Sequence, residues 1–241
     1  MDALMILGID SAAKSVSAAV CDGTRVLAQT QLNIELTHSQ TLLPIVQSLL
    51  NNSKISINDI DCFAVSSGPG SFTGLRISVS AVKGLAYALS KECVGVSSLE
   101  AAASNAVGFE GIVCAVMDAR CSQVYTALFR ASRGENSLSR ITEDCAISIS
   151  ELELLLKNYS EPILFVGDGA EMCYNIMGKN LQDSFLAPPH LLFPSGFGVC
   201  LCAQSSEYPP VSADELALRY LRLPQAERER LKKLAENSAD K

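Results

Sequence analysis

Two aspartates, Asp10 in MILGID and Asp118 in IVCAVMD, each close an apolar run, and they stand 108 positions apart. At that spacing Val16, Ala19 and Val20 meet Val124, Ala127 and Leu128 without a gap. A period this long, present twice, marks a duplicated unit, since stacked solenoid repeats run to about 20 to 50 residues. The flanking pattern repeats as well. In the first half, strand-like segments at 4–10, 15–22 and 25–33 are separated by turn residues, with Asp22-Gly23 the strongest hairpin signal. A helix-period segment at 38–52, a strand at 62–67, a glycine-rich loop, a helix at 74–90 and a short strand at 93–96 follow, and another helix opens at Ser97 or Ser98. The order restarts with strands at 112–118 and 123–131 and a polar strand region. It continues with a helix at 148–159, the strand-like PILFVGDG and the helix-like AEMCYNIMG.

Two βββαβα units are the pattern of the actin, Hsp70 and sugar-kinase superfamily, so the expected fold is α/β and two-lobed. Residues 1–107 form one lobe, 108–210 the other, and 211–241 a helical segment and charged tail. The first hairpin turn of each lobe should face a cleft between them, because ligands of open α/β sheets gather beyond strand ends.

A net charge of −7 over 241 residues leaves no broad basic face to grip nucleic acid unaided. Nine cysteines without a CxxC pair supply neither a disulfide framework nor a zinc site, which suits a reduced, cytoplasmic setting. The apolar run at the start is too short and wrongly flanked for a signal peptide, and nothing reaches the roughly 20 apolar residues of a membrane span.

In a nucleotide-dependent protein of this architecture, Asp10 and Ser11 would meet magnesium and phosphate oxygens, with Asp118 as the counterpart in the second lobe. The plainer alternative is that both aspartates cap their turns. Gly68 and Gly70 lie in SSGPGSFTGLRI, which matches neither a P-loop nor a dinucleotide fingerprint, yet amides at the start of the next helix can bind an anion. Gly167 and Gly169 in GDGA can let a base or ribose approach the backbone, or simply turn a strand into a helix. Two histidines and no GxSxG elbow leave little for covalent or metal chemistry.

The helices carry a different message. Leu42, Val46 and Leu49 in the first, and Val79, Val82, Leu85 and Ala86 in the second, belong to apolar surfaces that extend round most of each cylinder. Such helices are covered on two sides. One side goes to the sheet and the other to the second lobe or a partner, with Ser78, Ala81 and Gly84 small enough for close helix approach.

ILGID with a following serine, THSQTLLP, SSGPGSFTGLRI, AVKGLA, GVSSLEA and MDAR with QVY together resemble the TsaB (YeaZ) family, as far as about position 223. The resemblance implies a two-lobed subunit needed for threonylcarbamoyladenosine beside the anticodon of tRNAs that read codons starting with A. It also implies a heterodimer with the catalytic paralogue TsaD, contact with the ATPase TsaE, tRNA bound only through the complex, and a homodimer when alone. ATP belongs to the assembled complex, with no cofactor on this subunit. Leu42, Val46, Leu49, Arg76, Val79, Val82, Lys83, Leu85 and Ala86 become interface candidates, and Arg76 is an interfacial or turn-anchoring charge. TsaD carries a His-x-Glu-Gly-His metal motif where this chain has Ser98 to Ala102, SLEAA, and Ala102 cannot coordinate. Asp-Ser-Ala at 10–12 replaces the usual Asp-Thr-Ser of the family. The alternatives are an ATP-dependent phosphotransferase or ATPase using Asp10, Asp118 and Gly167 to Gly169, and a peptidase, for which no nucleophile and base are apparent. The tail beyond 223 is charged and helix-compatible, with Glu229 facing Lys232 and Lys233.

Overall fold

The computed structural model describes residues 4–34, 36–134 and 138–222. The charged tail, with Glu229, Lys232 and Lys233, lies outside them. The first unit comprises β1 (Met5–Asp10), β2 (Val16–Asp22), β3 (Arg25–Leu32), α1 (His38–Ser53), β4 (Cys62–Gly68), α2 (Phe72–Leu89), β5 (Glu92–Ser97) and α3 (Ser98–Ala103). The second comprises β6 (Gly111–Asp118), β7 (Gln123–Ala131), β8 (Leu138–Arg140), β9 (Cys145–Ser148), α4 (Ile149–Leu156), β10 (Ile163–Val166), α5 (Ala170–Met177), β11 (Ser184–Leu186) and α6 (Gly196–Cys202). Strand order is β3-β2-β1-β4-β5 in one sheet and β11-β10-β6-β7-β8 in the other, with β9 also paired to β7. In each sheet the opening hairpins are antiparallel and the later strands parallel, so the two halves share one topology.

Each sheet is covered on both faces, as its nearly unbroken apolar strands require. On the outer face of the first, Leu7, Ile9, Phe63 and Val65 pack against Leu42, Val46 and Leu49 of α1 and Val79, Val82 and Ala86 of α2. On the outer face of the second, Ile112, Cys114, Val116 and Phe165 pack against α4 and α5. The inner faces are exchanged. Val199, Cys200 and Cys202 of α6, from the second half of the chain, cover Ile6, Ala19 and Ala64 of the first sheet, while Leu99, Ala102 and Ala103 of α3 cover Val113, Ala115 and Met117 of the second. The sequence boundaries expected at 107/108 and 210/211 therefore do not coincide with the spatial layers, since α6 and residues 211–218 pack on the first sheet.

This arrangement corrects the internal alignment. Side chains alternate along a strand, so Asp10 shares its face with Ile6 and Gly8, the inner one, and Asp118 shares its face with Ile112, Cys114 and Val116, the outer one. The residue of β6 equivalent to Asp10 is Met117. Asp10 pairs with Ser17 and Met117 with Tyr125, so the spacing of 108 holds for the second strands, while the first strand is one residue out of step.

Candidate functional site

The stretch SSGPGSFTGLRI makes a strand-to-helix turn clamped to the first hairpin. Ser71 caps α2 by accepting from the Gly74 amide at 3.2 Å, and its own amide donates to the Ala12 carbonyl at 2.7 Å. The helix thus begins at Phe72, two residues before the expected Gly74. Gly74 is pressed against the Ser11 carbonyl, which any Cβ would strike, and the Ser11 hydroxyl donates to the Gly74 carbonyl at 2.7 Å.

Beside this clamp lies an interlobe cleft of about 570 Å³. Ala12 to Lys14 and Gly70 to Thr73 wall it on the first lobe, Met117 to Arg120, Tyr125 and Asp168 on the second, and Tyr220 and Arg222 close one side. Of the residues nominated for nucleotide, Gly70 and Asp118 reach it. Ser11 is sealed beneath the turn, Gly68 packs on the Arg219 carbonyl, and Gly167 and Gly169 pack on Val116 and the end of β6. Asp168, between those two glycines, is a cleft residue that attention to the glycines alone passes over.

Asp10 is fully buried behind the wall. One carboxyl oxygen accepts from the Ala12 amide at 3.3 Å and the other has no hydrogen-bond partner among the described residues. Burial pushes its pKa up to about 7, against the opposing pull of Ser66 and the Ala12 amide, with Asp168 adding to the rise. Asp118 caps its turn, accepting from the Arg120 amide at 2.7 Å, while its own amide donates to Asp168 at 3.2 Å. Burial also raises the pKa of Asp168, partly offset by that amide.

Ser98 and Ala102 are buried in α3. Among the described residues no three His, Cys, Asp or Glu side chains gather closely enough to hold a metal ion. Glu100, between them, belongs to a half-buried network: Arg140 pairs with Glu100 and, at 2.8 Å, with Asp144, Tyr208 donates to Glu100 at 2.7 Å, and Ser97 donates to Asp144 at 2.6 Å. Residues from both halves of the chain are tied together there.

The nominated interface residues divide differently from expectation. Leu42, Val46, Leu49, Val79, Val82 and Ala86 are core residues of the first lobe, each with less than a twentieth of its surface exposed. Lys83 donates to the carbonyls of Asp214 and Leu216, and Arg76 donates to the Tyr220 hydroxyl at 3.0 Å. Leu85 is half-buried. Ser78 is buried too and leaves Ala81 and Gly84 as the small residues facing out. On the outward side of the helix pair Leu43, Gly84, Tyr87 and Ala88 stand exposed, Leu43 to 53% and Tyr87 to 75%, beside Ile77, Ala81 and Leu85, which are half-buried against the edge of the first-lobe core. No helix among the described residues is long and apolar enough to cross a membrane.

Two duplicated lobes with exchanged inner helices and a cleft at the hairpin turns define an α/β protein of the actin, Hsp70 and sugar-kinase fold. A family model described as "TsaD: tRNA N6-adenosine threonylcarbamoyltransferase" matches residues 26–212. The tRNA threonylcarbamoyladenosine biosynthesis protein TsaB of Bacillus subtilis is 34% identical over 164 residues, 68% of this chain and 71% of its own. The TsaB protein of Escherichia coli is 38% identical over 137 residues, 56% of this chain and 58% of its own. YeaZ from Pseudomonas aeruginosa superposes with a TM-score of 0.72 at 23% identity, covering 90% of this chain and all of that one, which bears on the fold alone. The chain belongs to the TsaB (YeaZ) family, within the wider group that the TsaD model describes.

Proposed function

We propose that this chain is a non-catalytic subunit of the machinery that makes threonylcarbamoyladenosine in tRNA, and that it acts by docking α1 and α2 against the paralogue TsaD. The observation that carries the proposal is the outward strip of the helix pair, where Ala81, Gly84 and Ala88 leave room for close approach and Leu43 and Tyr87 stand exposed beside them. Exposed apolar groups gathered along one face mark an interaction surface, and the relatives in Bacillus subtilis and Escherichia coli are named for this biosynthesis. Without that partner the same strip pairs two copies of the chain.

Catalysis and nucleotide belong, in this proposal, to the assembled complex, which includes TsaE and uses ATP. Support comes from Asp10, walled off from the cleft with a carboxyl that burial holds towards the neutral form, and from Gly167 and Gly169, which pack on Val116 and the end of β6 and leave only Asp168 of the GDGA turn on the cleft. A net charge of −7 also fits a subunit that meets tRNA through others.

Co-purification with TsaD tests the proposal. Gly84→Glu has open space at its Cβ, so the variant should fold, and it should lose TsaD and threonylcarbamoyl transfer together. Undiminished association by this variant, or ATP turnover by the isolated chain that Asp10→Asn abolishes, would overturn the proposal.

A further inference from the structure

Residues 211–222 run from the edge of the first sheet across the start of α2 to the first turn of the second lobe. Val211 and Cys93 exchange backbone hydrogen bonds at 2.8 and 2.9 Å, and Ala213 and Leu216 are buried against the first-lobe core. From there the segment is held at single points. Lys83 on α2 donates to the carbonyls of Asp214 at 3.2 Å and Leu216 at 3.1 Å, and the Arg219 amide donates to the Ser67 carbonyl at 2.8 Å. The Tyr220 ring stacks on Phe72 with centroids 5.0 Å apart, and the Arg76 guanidinium lies 3.7 Å from the Phe72 centroid while donating to the Tyr220 hydroxyl. Finally Arg222 donates to the carbonyl of Ala119, on the β6–β7 turn, at 2.9 Å.

We propose that residues 211–222 are a latch, in which Tyr220 docked on Phe72 and Arg76, and Arg222 docked on Ala119, hold the interlobe cleft closed on that side. Three observations meet in this assignment. The segment joins both lobes, two of its side chains form part of the cleft wall, and its last anchors are single contacts, one exposed between Arg76 and Tyr220 and one part-buried between Arg222 and Ala119. An aromatic stack with a guanidinium beside it is a specific contact, and at an exposed site a readily reversible one. Arg76 and Lys83 lie seven residues apart, and their stripe on α2 adjoins Ile77, Ala81 and Gly84.

The chain has no tryptophan, so Tyr220→Trp supplies a unique reporter of the docked ring. With the latch closed, its emission is shielded from acrylamide, a neutral quencher indifferent to the loss of the Arg76 charge, and Arg76→Ala in that background should expose it. Hydrogen exchange reads the consequence for the cleft. Tyr220→Ala and, separately, Arg222→Ala should speed exchange in the turns at 11–15 and 119–122 about tenfold or more, while the amides of β4 and β10 stay protected. Unchanged exchange of both turns in both folded variants, or an indole equally shielded with and without Arg76, overturns the latch. Should Tyr220→Ala not fold, Arg222→Ala alone carries the same two outcomes, because it removes a single part-buried hydrogen bond to a backbone carbonyl.

Discussion

Gly74 and Ser11 are locked face to face: the glycine's α-carbon sits on the Ser11 carbonyl, and the serine hydroxyl donates to the Gly74 carbonyl at 2.7 Å. This pair fastens the start of α2 to the hairpin after β1, and so fixes the helix that carries the proposed docking strip. The glycine is there for the close approach, since backbone cannot yield as a flexible side chain does. Gly74→Ala should lower stability by about 1–3 kcal/mol, the usual cost of overpacking a tight site. Urea unfolding of the variant measures it, and a midpoint equal to that of the parent protein contradicts the assignment.

Asp10 gives stability a pH dependence of definite sign. Its folded pKa is raised to about 7 by burial, above the unfolded value near 3.8, so the folded state holds the proton more tightly. The contribution is fully present below about pH 4, is lost as pH rises towards 7 and is level above that. Asp10→Asn should remove this fall, so that the stability difference between variant and parent shifts in the variant's favour from pH 4 to pH 7. Denaturant unfolding at several pH values checks it, and a difference independent of pH counts against the buried carboxyl.

Val82 and Gly84 are two residues apart on α2 and should respond in opposite ways to the same substitution. Val82 is fully buried in the first-lobe core, and Val82→Glu forces a carboxylate into it, so loss of folding by several kcal/mol is expected. Gly84→Glu faces open space and should leave the unfolding transition within about 1 kcal/mol of the parent, since exchanging glycine within a helix is itself favourable. Thermal melts of the two variants separate a core position from a surface one.

Arg140 pairs with two acids, Glu100 and Asp144, its side chain only 16% exposed. Arg140→Met leaves both carboxylates half-buried without their counter-charge. A loss of about 3–5 kcal/mol follows from breaking such a network on one side, and calorimetry reads it. A melting temperature unchanged by the substitution would mean that the ties between the two halves lie elsewhere.

The duplicated order of elements was legible because turn residues and apolar runs alternate twice with the same spacing, and the topology follows that order through α5. Three features were not. Which side of α2 meets the sheet depends on helix rotation: Val82 faces in and Gly84 out, and an apolar surface extending round the cylinder does not distinguish them. The equivalence of Asp10 and Asp118 failed by one residue, enough to turn a side chain to the other face of the sheet. Helix α6 escaped notice because GFGVCLC has glycines, poor helix formers, at its first and third positions. They are present because Gly196 lies on the backbone of Ala18 and Ala19 and Gly198 on the Ala101 carbonyl, contacts made only in the folded chain. For the site, the hairpin turns were placed at the cleft correctly, but whether Asp10 reached it depended on burial that spacing does not reveal.

The most direct test of the docking proposal is the mass in solution of this chain mixed with TsaD, with and without Gly84→Glu. The proposal predicts a heterodimer for the parent chain and two separate species for the variant, with threonylcarbamoyl transfer lost in step. A variant that still elutes with TsaD at full mass and supports the reaction at the parent rate would contradict it.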